Sequence, residues 1–334
     1  GRGHALKCMS PAPVLQARAM TETSPTRAGF AAIIGAPNAG KSTLTNRLVG
    51  AKVSIVTQKV QTTRFPVRGV AMHDNAQIVL VDTPGIFKPR RRLDRAMVRS
   101  AWAGAEDAEA VVHLVDVQAE LAVQDGTAKG ADKKAIEDVR SIVQGLQGAR
   151  RKAILALNKI DGVKRERMLA VAKDLFDTGV YDEVFMISAA TGAGVDDLKA
   201  RLAALMPEGP WLYPEDQTAD LPVRLLAAEI TREKIYLRVH EELPYAASVE
   251  THAFEERADG SLRIEQTILV EREGQRAIII GANGQTLKWI GSAAREELTD
   301  LLERKVHLFL HVKVRETWAE ERGTYEGMGL DFDV

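Results

Sequence analysis

The stretch Gly35-Ala36-Pro37-Asn38-Ala39-Gly40-Lys41-Ser42 is the strongest structural signal in this 334-residue chain. It follows an apolar run, Phe30–Ile34, and opens a helical pattern, Lys41–Leu48. Between a strand and a helix, the pattern G-x-x-x-x-G-K-[ST] predicts a loop whose backbone amides surround phosphate groups. Glycine leaves room for the phosphate, and the helix N-terminus adds partial positive charge.

The same stretch supplies the first candidate site residues. Lys41 is expected to reach the β- and γ-phosphates, and the Ser42 hydroxyl is expected to ligate Mg²⁺. The nucleotide-binding residues predicted in and after this loop are Asn38, Ala39, Gly40, Lys41, Ser42 and Thr43.

Strands and helices alternate from the loop to about residue 206. The predicted strands are Phe30–Ile34, Val67–Met72, Gln77–Asp82, Ala110–Asp116, Lys152–Asn158 and Glu183–Ile187. The predicted helices are Lys41–Leu48, Leu93–Gly104, Ala131–Leu146, Arg165–Phe176 and Val195–Leu205. Nearly continuous apolar strands indicate an α/β fold: a mixed, mostly parallel six-stranded sheet with helices on both faces. Ligands bind such sheets beyond the carboxyl ends of the strands.

A second motif, D-x-x-G at Asp82–Gly85, ends one of these strands. Asp82 is predicted to hold Mg²⁺ through water, and the Gly85 amide to contact the γ-phosphate. By itself this tetrapeptide is a weak signal that is also typical of a turn.

Two further motifs at strand ends favour guanine over adenine. In the N-K-x-D motif Asn158–Asp161, Asp161 can accept hydrogen bonds from guanine N1–H and the exocyclic amine, which adenine does not supply. A buried carboxylate left unpaired costs about 1–3 kcal/mol or more, so this residue is expected to reject ATP. In Ser188-Ala189-Ala190 the Ala189 amide is predicted to contact guanine O6. Lys159 and Ser188 complete the predicted base site.

Taken together, these motifs resemble those of translation-factor-class GTPases, and the second half of the chain narrows the resemblance to the Era family of ribosome-assembly GTPases. The resemblance covers about residues 28–315, including Gln61-Thr62-Thr63-Arg64. It implies a GTPase with Mg²⁺ and GTP or GDP as cofactors, and favours Thr63 as a second Mg²⁺ ligand with Thr62 as the runner-up. The expected catalytic residues are Lys41, Thr63, Asp82, Gly85 and Asn38.

The residue after Gly85 has a consequence for the rate of hydrolysis. Ile86 stands where Ras-like GTPases carry the glutamine that orients the attacking water, so the intrinsic rate is expected to be low. Related GTPases that carry a hydrophobic residue at the position of Ile86 use an asparagine to hold K⁺ near the phosphates, and Asn38 occupies the position of that asparagine. We therefore hypothesise that K⁺ near Asn38 supplies charge otherwise given by an arginine finger.

The second half resembles a type II KH RNA-binding domain, an α+β fold. Its predicted elements are a helix at Val223–Glu241, strands at Ala247–Glu255 and Leu262–Val270, a helical region flanking Gly281–Gly284, and a strand at His307–Val314. A G-x-x-G loop clamps a nucleic-acid backbone. The predicted RNA-binding residues are Gly281, Ala282, Asn283, Gly284, Gln285 and Lys288, with Arg276 and Lys313 as neighbouring cations. The resemblance implies the 3′ end of 16S rRNA and the 30S subunit as partners, although the net charge of residues 222–315 is -1.

We expect five segments: a disordered leader (1–27, with Met20 as the natural start), the GTPase domain (28–206), a linker (207–221), the KH domain (222–315) and an acidic tail (316–334). Trp211 and Tyr213 are expected to pin the proline-rich linker to one domain. The tail, with one arginine and six acidic residues, is expected to be a solvated end; competition for the RNA groove is the alternative. Trp289 and Trp318 are candidates for base stacking, and packing roles are favoured for both.

Composition sets limits on the function. A hydrophobic content of 45% and a charged content of 27% are typical of a globular protein, and the net charge of -1 excludes a globally basic nucleic-acid binder. The single cysteine, Cys8, and the lack of a long apolar run favour the cytoplasm. One alternative is a regulatory GTPase held peripherally at the inner membrane surface by a basic stretch: Lys88, Arg90, Arg91, Arg92 and Arg95. The other is an RNA-binding module whose nucleotide pocket only stabilises the fold.

Overall fold

A computed structural model describes residues 25–57, 59, 62–239 and 243–334. The first domain contains a sheet with the strand order β6-β5-β4-β1-β3-β2-β7, in which β2 runs antiparallel to β3 and β7 and the other pairs are parallel. Its strands are β1 (Arg27–Gly35), β2 (Val67–His73), β3 (Ala76–Asp82), β4 (Ala110–Asp116), β5 (Ala153–Asn158), β6 (Tyr181–Met186) and β7 (Ala219–Asp220).

Helices cover both faces of this sheet. They are α1 (Lys41–Val49), α2 (Arg92–Asp107), α3 (Val117–Gln124), α4 (Gly130–Gly148), α5 (Arg165–Phe176) and α6 (Val195–Leu205). Consecutive strand residues point to opposite faces, so Ile34 belongs to one apolar cluster and Ile33 to the other. The predicted α/β fold is therefore confirmed. Helix α3 was not predicted, because its buried residues Val117, Ala119 and Leu121 alternate with polar ones, a short pattern that does not distinguish a helix from a strand.

The sheet has one strand more than the predicted six, and the extra strand comes from the linker. Ala219 and Asp220 pair with Gly69 and Arg68 of β2. Trp211 Nε1 donates to the Asn75 carbonyl oxygen at 3.1 Å, so the expected pinning of the linker by its aromatic residues is confirmed. The linker thus contributes the edge strand of the GTPase domain's sheet.

The prediction of a disordered leader over residues 1–27 is wrong for residues 26 and 27. Arg27 is the first residue of β1, and Thr26 Oγ1 donates to the Gly209 carbonyl oxygen at 2.9 Å. Hydrogen bonding to the sheet edge and linker orders these residues. Residues 1–24 lie outside the described part of the chain.

The second domain packs helices against a three-stranded sheet of order β10-β9-β8, with β8 and β9 antiparallel and β9 and β10 parallel. Its elements are α7 (Val223–Arg238), β8 (Ala247–Glu256), β9 (Leu262–Val270), α8 (Glu273–Ile280), α9 (Gln285–Leu302) and β10 (Val306–Val314). Ile235, Ile268 and Ile290 meet in its core. This arrangement agrees with the predicted KH domain. In the part of the chain that the structure describes, no helix is both long and apolar enough to cross a membrane.

The expectation of a solvated tail is wrong for residues 318–334. Trp318 and Tyr325 are fully buried, the latter on a further helix, α10 (Arg322–Met328). They share an apolar cluster with Phe87 and with Met97 of α2. Most acidic residues of the tail are exposed, while its apolar residues are buried in this cluster. The net charge of the tail was therefore a poor guide to where the segment lies.

Candidate nucleotide site and RNA-binding loop

The phosphate loop joins the end of β1 to the start of α1, as predicted, and borders a cavity of about 990 Å³. Asn38 (φ 64°) and Gly40 (φ 101°) adopt left-handed backbone conformations. A Cβ at Gly40 would lie 2.4 Å from Asn158 Nδ2, so only glycine fits there. The predicted loop residues Asn38, Ala39, Gly40, Lys41, Ser42 and Thr43 all line this cavity, together with Thr63 and Gly85.

Lys41 lies inside the loop rather than in solvent. Its Nζ donates to the carbonyl oxygens of Gly35 at 3.1 Å and Ala36 at 3.0 Å. Burial lowers the pKa of Lys41 to about 8, against the opposing charge of Asp82. A partly desolvated ammonium group interacts strongly with an incoming phosphate, and the arrangement suits the predicted role.

Three side chains predicted for Mg²⁺ converge at the bottom of the cavity. Ser42 Oγ lies 2.9 Å from Thr63 Oγ1 and donates to Asp82 Oδ2 at 2.7 Å, and Thr63 Oγ1 donates to the same oxygen at 3.3 Å. Burial raises the pKa of Asp82, while the Ser42 hydrogen bond and the Lys41 charge oppose that rise. Asp82 Oδ1 is buried and has no hydrogen-bond partner within the described residues. Two hydroxyls and a carboxylate with a spare oxygen fit a hard cation such as Mg²⁺.

The two candidate threonines differ in their surroundings. Thr62 Oγ1 lies 2.7 Å from Thr57 Oγ1 and donates to the Lys59 carbonyl oxygen at 2.8 Å, away from the carboxylate. Thr63 is the one beside Ser42 and Asp82. The geometry therefore favours Thr63, the first choice of the sequence analysis.

The base-recognition motifs connect directly to the phosphate loop. Asn158 Nδ2 donates to the Ala39 carbonyl oxygen at 2.8 Å, and its Oδ1 accepts from the Ala189 amide at 2.9 Å. Ser188 Oγ donates to Asp161 Oδ2 at 2.9 Å. The ends of β5 and β6 and the phosphate loop thus form one hydrogen-bonded unit.

Two details differ from the sequence-based interpretation. Asp161 is exposed, so the low-polarity surroundings assumed for it have to come from the bound base itself. The Ala189 amide donates to Asn158, so its contact with guanine O6 stays a prediction that requires this amide to be shared or released. Lys159, predicted in the base site, adopts a left-handed conformation (φ 63°) and pairs with Asp116 Oδ2 at 2.6 Å.

Asp116 and Gln118 are site residues that the sequence reasoning missed. Asp116 caps α3 and holds Lys159, and Gln118 Nε2 donates to the Lys159 carbonyl oxygen at 2.9 Å. Asp116 ends the predicted strand Ala110–Asp116, so the rule that ligands bind at the carboxyl ends of strands would have found it. Gln118 belongs to the unpredicted helix and had no such signal.

The segment Gly85–Ile86, expected near the γ-phosphate, packs directly against the phosphate loop. A Cβ at Gly85 would approach a Pro37 ring carbon to 2.9 Å, so glycine is needed where this segment passes the loop. The Ile86 amide donates to the Gly35 carbonyl oxygen at 3.1 Å, and the Ile86 side chain is buried in the core. Asn38 is exposed and lines the cavity. Ile86 therefore contributes no polar group to the cavity.

The predicted RNA loop lies between α8 and α9 and is largely exposed. Gly281 (φ 73°), Asn283 (φ 50°) and Gly284 (φ 75°) have left-handed conformations. A Cβ at Gly281 would lie 2.3 Å from Thr286 Oγ1, which explains the first glycine. The side chains exposed to solvent here are Ala282, Asn283, Gln285 and Lys288.

The neighbouring cations and tryptophans have different surroundings. Lys313 is exposed, and Arg276 pairs with Glu273 at 3.2 Å. Trp289 is 40% exposed and packs against the Arg238 guanidinium, 5.5 Å from its ring centroid, so it lies outside the core and its role stays a prediction. Trp318 is buried, as expected.

The basic stretch after the Asp82–Gly85 motif is partly covered by the tail. The Arg92 and Arg322 guanidinium groups lie 4.5 and 4.8 Å from the Phe332 ring centroid. Arg99 pairs with Asp331 at 3.4 Å. Arg95 Nε also donates to the Val334 carbonyl oxygen at 3.4 Å, so two cations of the predicted basic stretch, Arg92 and Arg95, contact the tail.

Two family models match the chain, one in each domain. The model described as a 50S ribosome-binding GTPase matches residues 30–159, and the KH domain model matches residues 242–319. The chain is 77% identical over 316 residues to the GTPase Era of Caulobacter vibrioides (strain NA1000 / CB15N), which covers 94% of this chain and 100% of that protein. It is 57% identical over 308 residues to the GTPase Era of Agrobacterium fabrum, covering 92% and 93%.

Solved structures of Era proteins share the fold across both domains. One is Era in complex with MgGDPNP and nucleotides 1506–1542 of 16S ribosomal RNA, with a TM-score of 0.81, 36% identity, and coverage of 91% of this chain and 99% of that chain. Another is a variant of Aquifex aeolicus Era bound to GDP.AlF4-, with the same TM-score, identity and coverage.

Proposed function

The chain belongs to the Era family of GTPases, and we propose that it binds GTP with Mg²⁺ at the phosphate loop and RNA at the loop Gly281–Gly284. The protein is a GTP hydrolase. The observation that carries the assignment of the site is the convergence of Ser42, Thr63 and Asp82, with one buried carboxylate oxygen left without a partner.

In the proposed mechanism, the protein binds and orients the triphosphate. Lys41 exchanges its two carbonyl partners for the β- and γ-phosphate oxygens, and the Ser42 and Thr63 hydroxyls hold Mg²⁺ with Asp82 behind them. When bound, Mg²⁺ would neutralise charge that develops on the phosphate oxygens. We assign the γ-phosphate contact to the amide of Gly85, which lies against Pro37 of the loop, because such fixed donors stabilise the transition state.

We assign guanine recognition to Asp161, whose carboxylate accepts a hydrogen bond from Ser188. Asn158 donates to Ala39 and so fixes the phosphate loop next to the base site. In Asp161→Asn, an amide NH₂ group replaces one carboxylate oxygen. The amide can donate to the C2 carbonyl oxygen of xanthine, but it cannot accept a hydrogen bond from the guanine amine. We expect this variant to lose GDP affinity and to gain affinity for xanthosine diphosphate. Equal affinity of the wild-type protein for GDP and ADP would contradict the proposed base site.

We further propose that K⁺ bound beside Asn38 assists hydrolysis. Ile86 is buried and apolar, so it cannot orient the attacking water, and the exposed Asn38 side chain lines the cavity next to the loop. Hydrolysis in KCl is expected to exceed that in NaCl, and Asn38→Ala should abolish the difference. Equal rates in the two salts would exclude this role.

For the RNA partner we propose the 3′ region of 16S rRNA within the 30S subunit, in the cytoplasm. The relative described above was solved with nucleotides 1506–1542 of 16S ribosomal RNA, and the loop Gly281–Gly284 is exposed here. The alternative of a peripheral position at the inner membrane finds less support, because Arg92 and Arg95 of the basic stretch already contact the tail.

The RNA site is tested with two matched glycine variants. Gly284 (φ +75°) and Gly260 (φ +76°) both have positive φ angles, and no atom lies within 4 Å of the position that a Cβ would take at either residue. The variants Gly284→Asp and Gly260→Asp therefore introduce similar backbone strain and the same charge. We expect only Gly284→Asp to weaken binding of a 16S rRNA 3′-end oligonucleotide in fluorescence anisotropy. Equal binding by the two variants would move the RNA site elsewhere.

A further inference from the structure

Thr63 is flanked by two residues that each form a hydrogen bond with the second domain. Before it, the Thr62 carbonyl oxygen accepts a hydrogen bond from Arg232 of α7. After it, Arg64 Nη1 donates to the Ala247 carbonyl oxygen of β8 at 2.9 Å. Both guanidinium groups are almost fully buried, so the contacts are not loose surface pairs.

Arg64 is fixed on several sides. Its Cζ lies 5.3 Å from the centroid of the Trp318 ring, and Trp318 Nε1 donates to the Ala246 carbonyl oxygen at 3.1 Å. The Tyr236 hydroxyl accepts a side-chain hydrogen bond from Arg64. Arg232 Nη1 donates to the same hydroxyl oxygen at 3.3 Å. A buried guanidinium needs such partners because desolvating it unpaired is costly.

A buried arginine in this position has a consequence for its neighbour. Thr63 Oγ1 lies 3.3 Å from Asp82 Oδ2, and the contacts of Thr62 and Arg64 with the second domain restrict movement of the backbone between them. We infer that Arg64 is a positioning residue for GTP hydrolysis, which holds Thr63 at the magnesium site by anchoring it to β8 and Trp318. This inference rests on the role proposed for Thr63.

The test compares Arg64→Met with the wild-type protein in single-turnover GTP hydrolysis. Methionine fills the buried space but cannot donate to Ala247. A displacement of about 1 Å at a reacting centre can cost about 100-fold in rate, so we expect a loss of about 10- to 100-fold. GDP affinity should stay within about twofold, because the phosphate loop and Asp161 are untouched, and the Mg²⁺ concentration for half-maximal hydrolysis should rise.

A double-mutant cycle separates this inference from the proposed function. If Arg64 acts through Thr63, Arg64→Met should cause no further loss in the Thr63→Ala background. An undiminished loss in that background, or a rate for Arg64→Met within about twofold of wild type, would overturn the inference. Wild-type hydrolysis by Thr63→Ala alone would instead refute the role proposed for Thr63.

Two more variants guard against a simple folding defect. Tyr325→Leu changes the apolar cluster that contains Trp318 and leaves the Arg64 side chain itself unaltered, so it is expected to keep the wild-type rate and Mg²⁺ dependence. Arg64→Lys keeps a buried cation and one donor and should recover part of the rate, even if Arg64→Met does not fold. No recovery by lysine, with an unchanged Mg²⁺ dependence, would count against a positioning role.

Discussion

The hydroxyl oxygens of Ser42 and Thr63 lie 2.9 Å apart, and each hydroxyl donates to the same carboxylate oxygen of Asp82. The two residues come from different elements, α1 and the segment before β2. The fold therefore brings together the three side chains proposed for the Mg²⁺ site, at a place where the second Asp82 oxygen has no partner among the described residues.

Adjacent threonine variants test this arrangement. Thr63→Ala and Thr62→Ala remove the same atoms from neighbouring positions, but only Thr63 faces Asp82. We expect Thr63→Ala to lower kcat for GTP by about 100-fold or more, since loss of one charge-stabilising group commonly costs that much. Thr62→Ala should lose less than about fivefold, measured by phosphate release. Similar losses in the two variants would contradict the assignment of Thr63, rather than Thr62, to the Mg²⁺ site.

Two glycines at opposite ends of α1 provide a second matched pair. Gly40 (φ +101°) and Gly50 (φ +82°) both have left-handed backbones, but only a Cβ at Gly40 would meet Asn158 Nδ2. Each alanine variant should cost about 1 kcal/mol in backbone strain. Only Gly40→Ala should also displace Asn158 and weaken GDP binding, by about tenfold or more, in isothermal titration calorimetry. A comparable loss of affinity in Gly50→Ala would point to helix strain as the cause.

Buried His113 should make the protein sensitive to acid. Its Nδ1 lies 2.8 Å from Tyr181 Oη, and burial, with the Lys41 charge in addition, lowers the pKa of His113 to about 3. The unfolded chain takes up a proton near pH 6.5 and the folded protein does not. The free energy of unfolding should therefore fall from pH 6.5 towards pH 3, by about 1.4 kcal/mol per pH unit from this group.

Urea unfolding of the wild-type protein and of His113→Asn, compared between pH 7.5 and pH 5, isolates this contribution. The variant should lose stability less steeply as the pH falls. Parallel pH profiles would mean that His113 does not titrate on unfolding.

The tail should stabilise the GTPase domain. Tyr325 is fully buried against the cluster that contains Phe87 and Met97, whereas its neighbour Glu326 is exposed. Removal of a buried aromatic ring typically costs about 3–5 kcal/mol, so Tyr325→Ala should lower the free energy of unfolding by about that amount. Glu326→Ala should change it by less than about 0.5 kcal/mol, as surface substitutions do. Equal unfolding curves for the two variants would show that the tail packs too weakly to matter.

The sequence predicted the nucleotide site well because its signals are local. The loop around Lys41 and the motifs at Asp82 and Asn158 each follow an apolar strand, and parallel strands bring their carboxyl ends to one edge. The seventh strand escaped prediction because its two residues, Ala219 and Asp220, are strand-forming only through their pairing with β2.

Features that depend on distant packing could not be predicted. No local pattern indicates that Arg64 lies buried between β8 and Trp318, or that the Ala189 amide already has an acceptor. The tail shows the same limit. Its acidic residues dominate the composition, but the spacing of Trp318, Tyr325 and Leu330 decides where it lies.

The contact between α2 and the tail can form only after the ribosome has made the last residues of the tail. Arg95 Nε donates to the Val334 carbonyl oxygen at 3.4 Å across 239 residues of chain. At about 5–20 residues per second, the ribosome makes the second residue roughly 10–50 s after the first. Throughout that interval the apolar patch around Met97 has no cover from its later partners, so a nascent chain presents it to chaperones until translation reaches the tail.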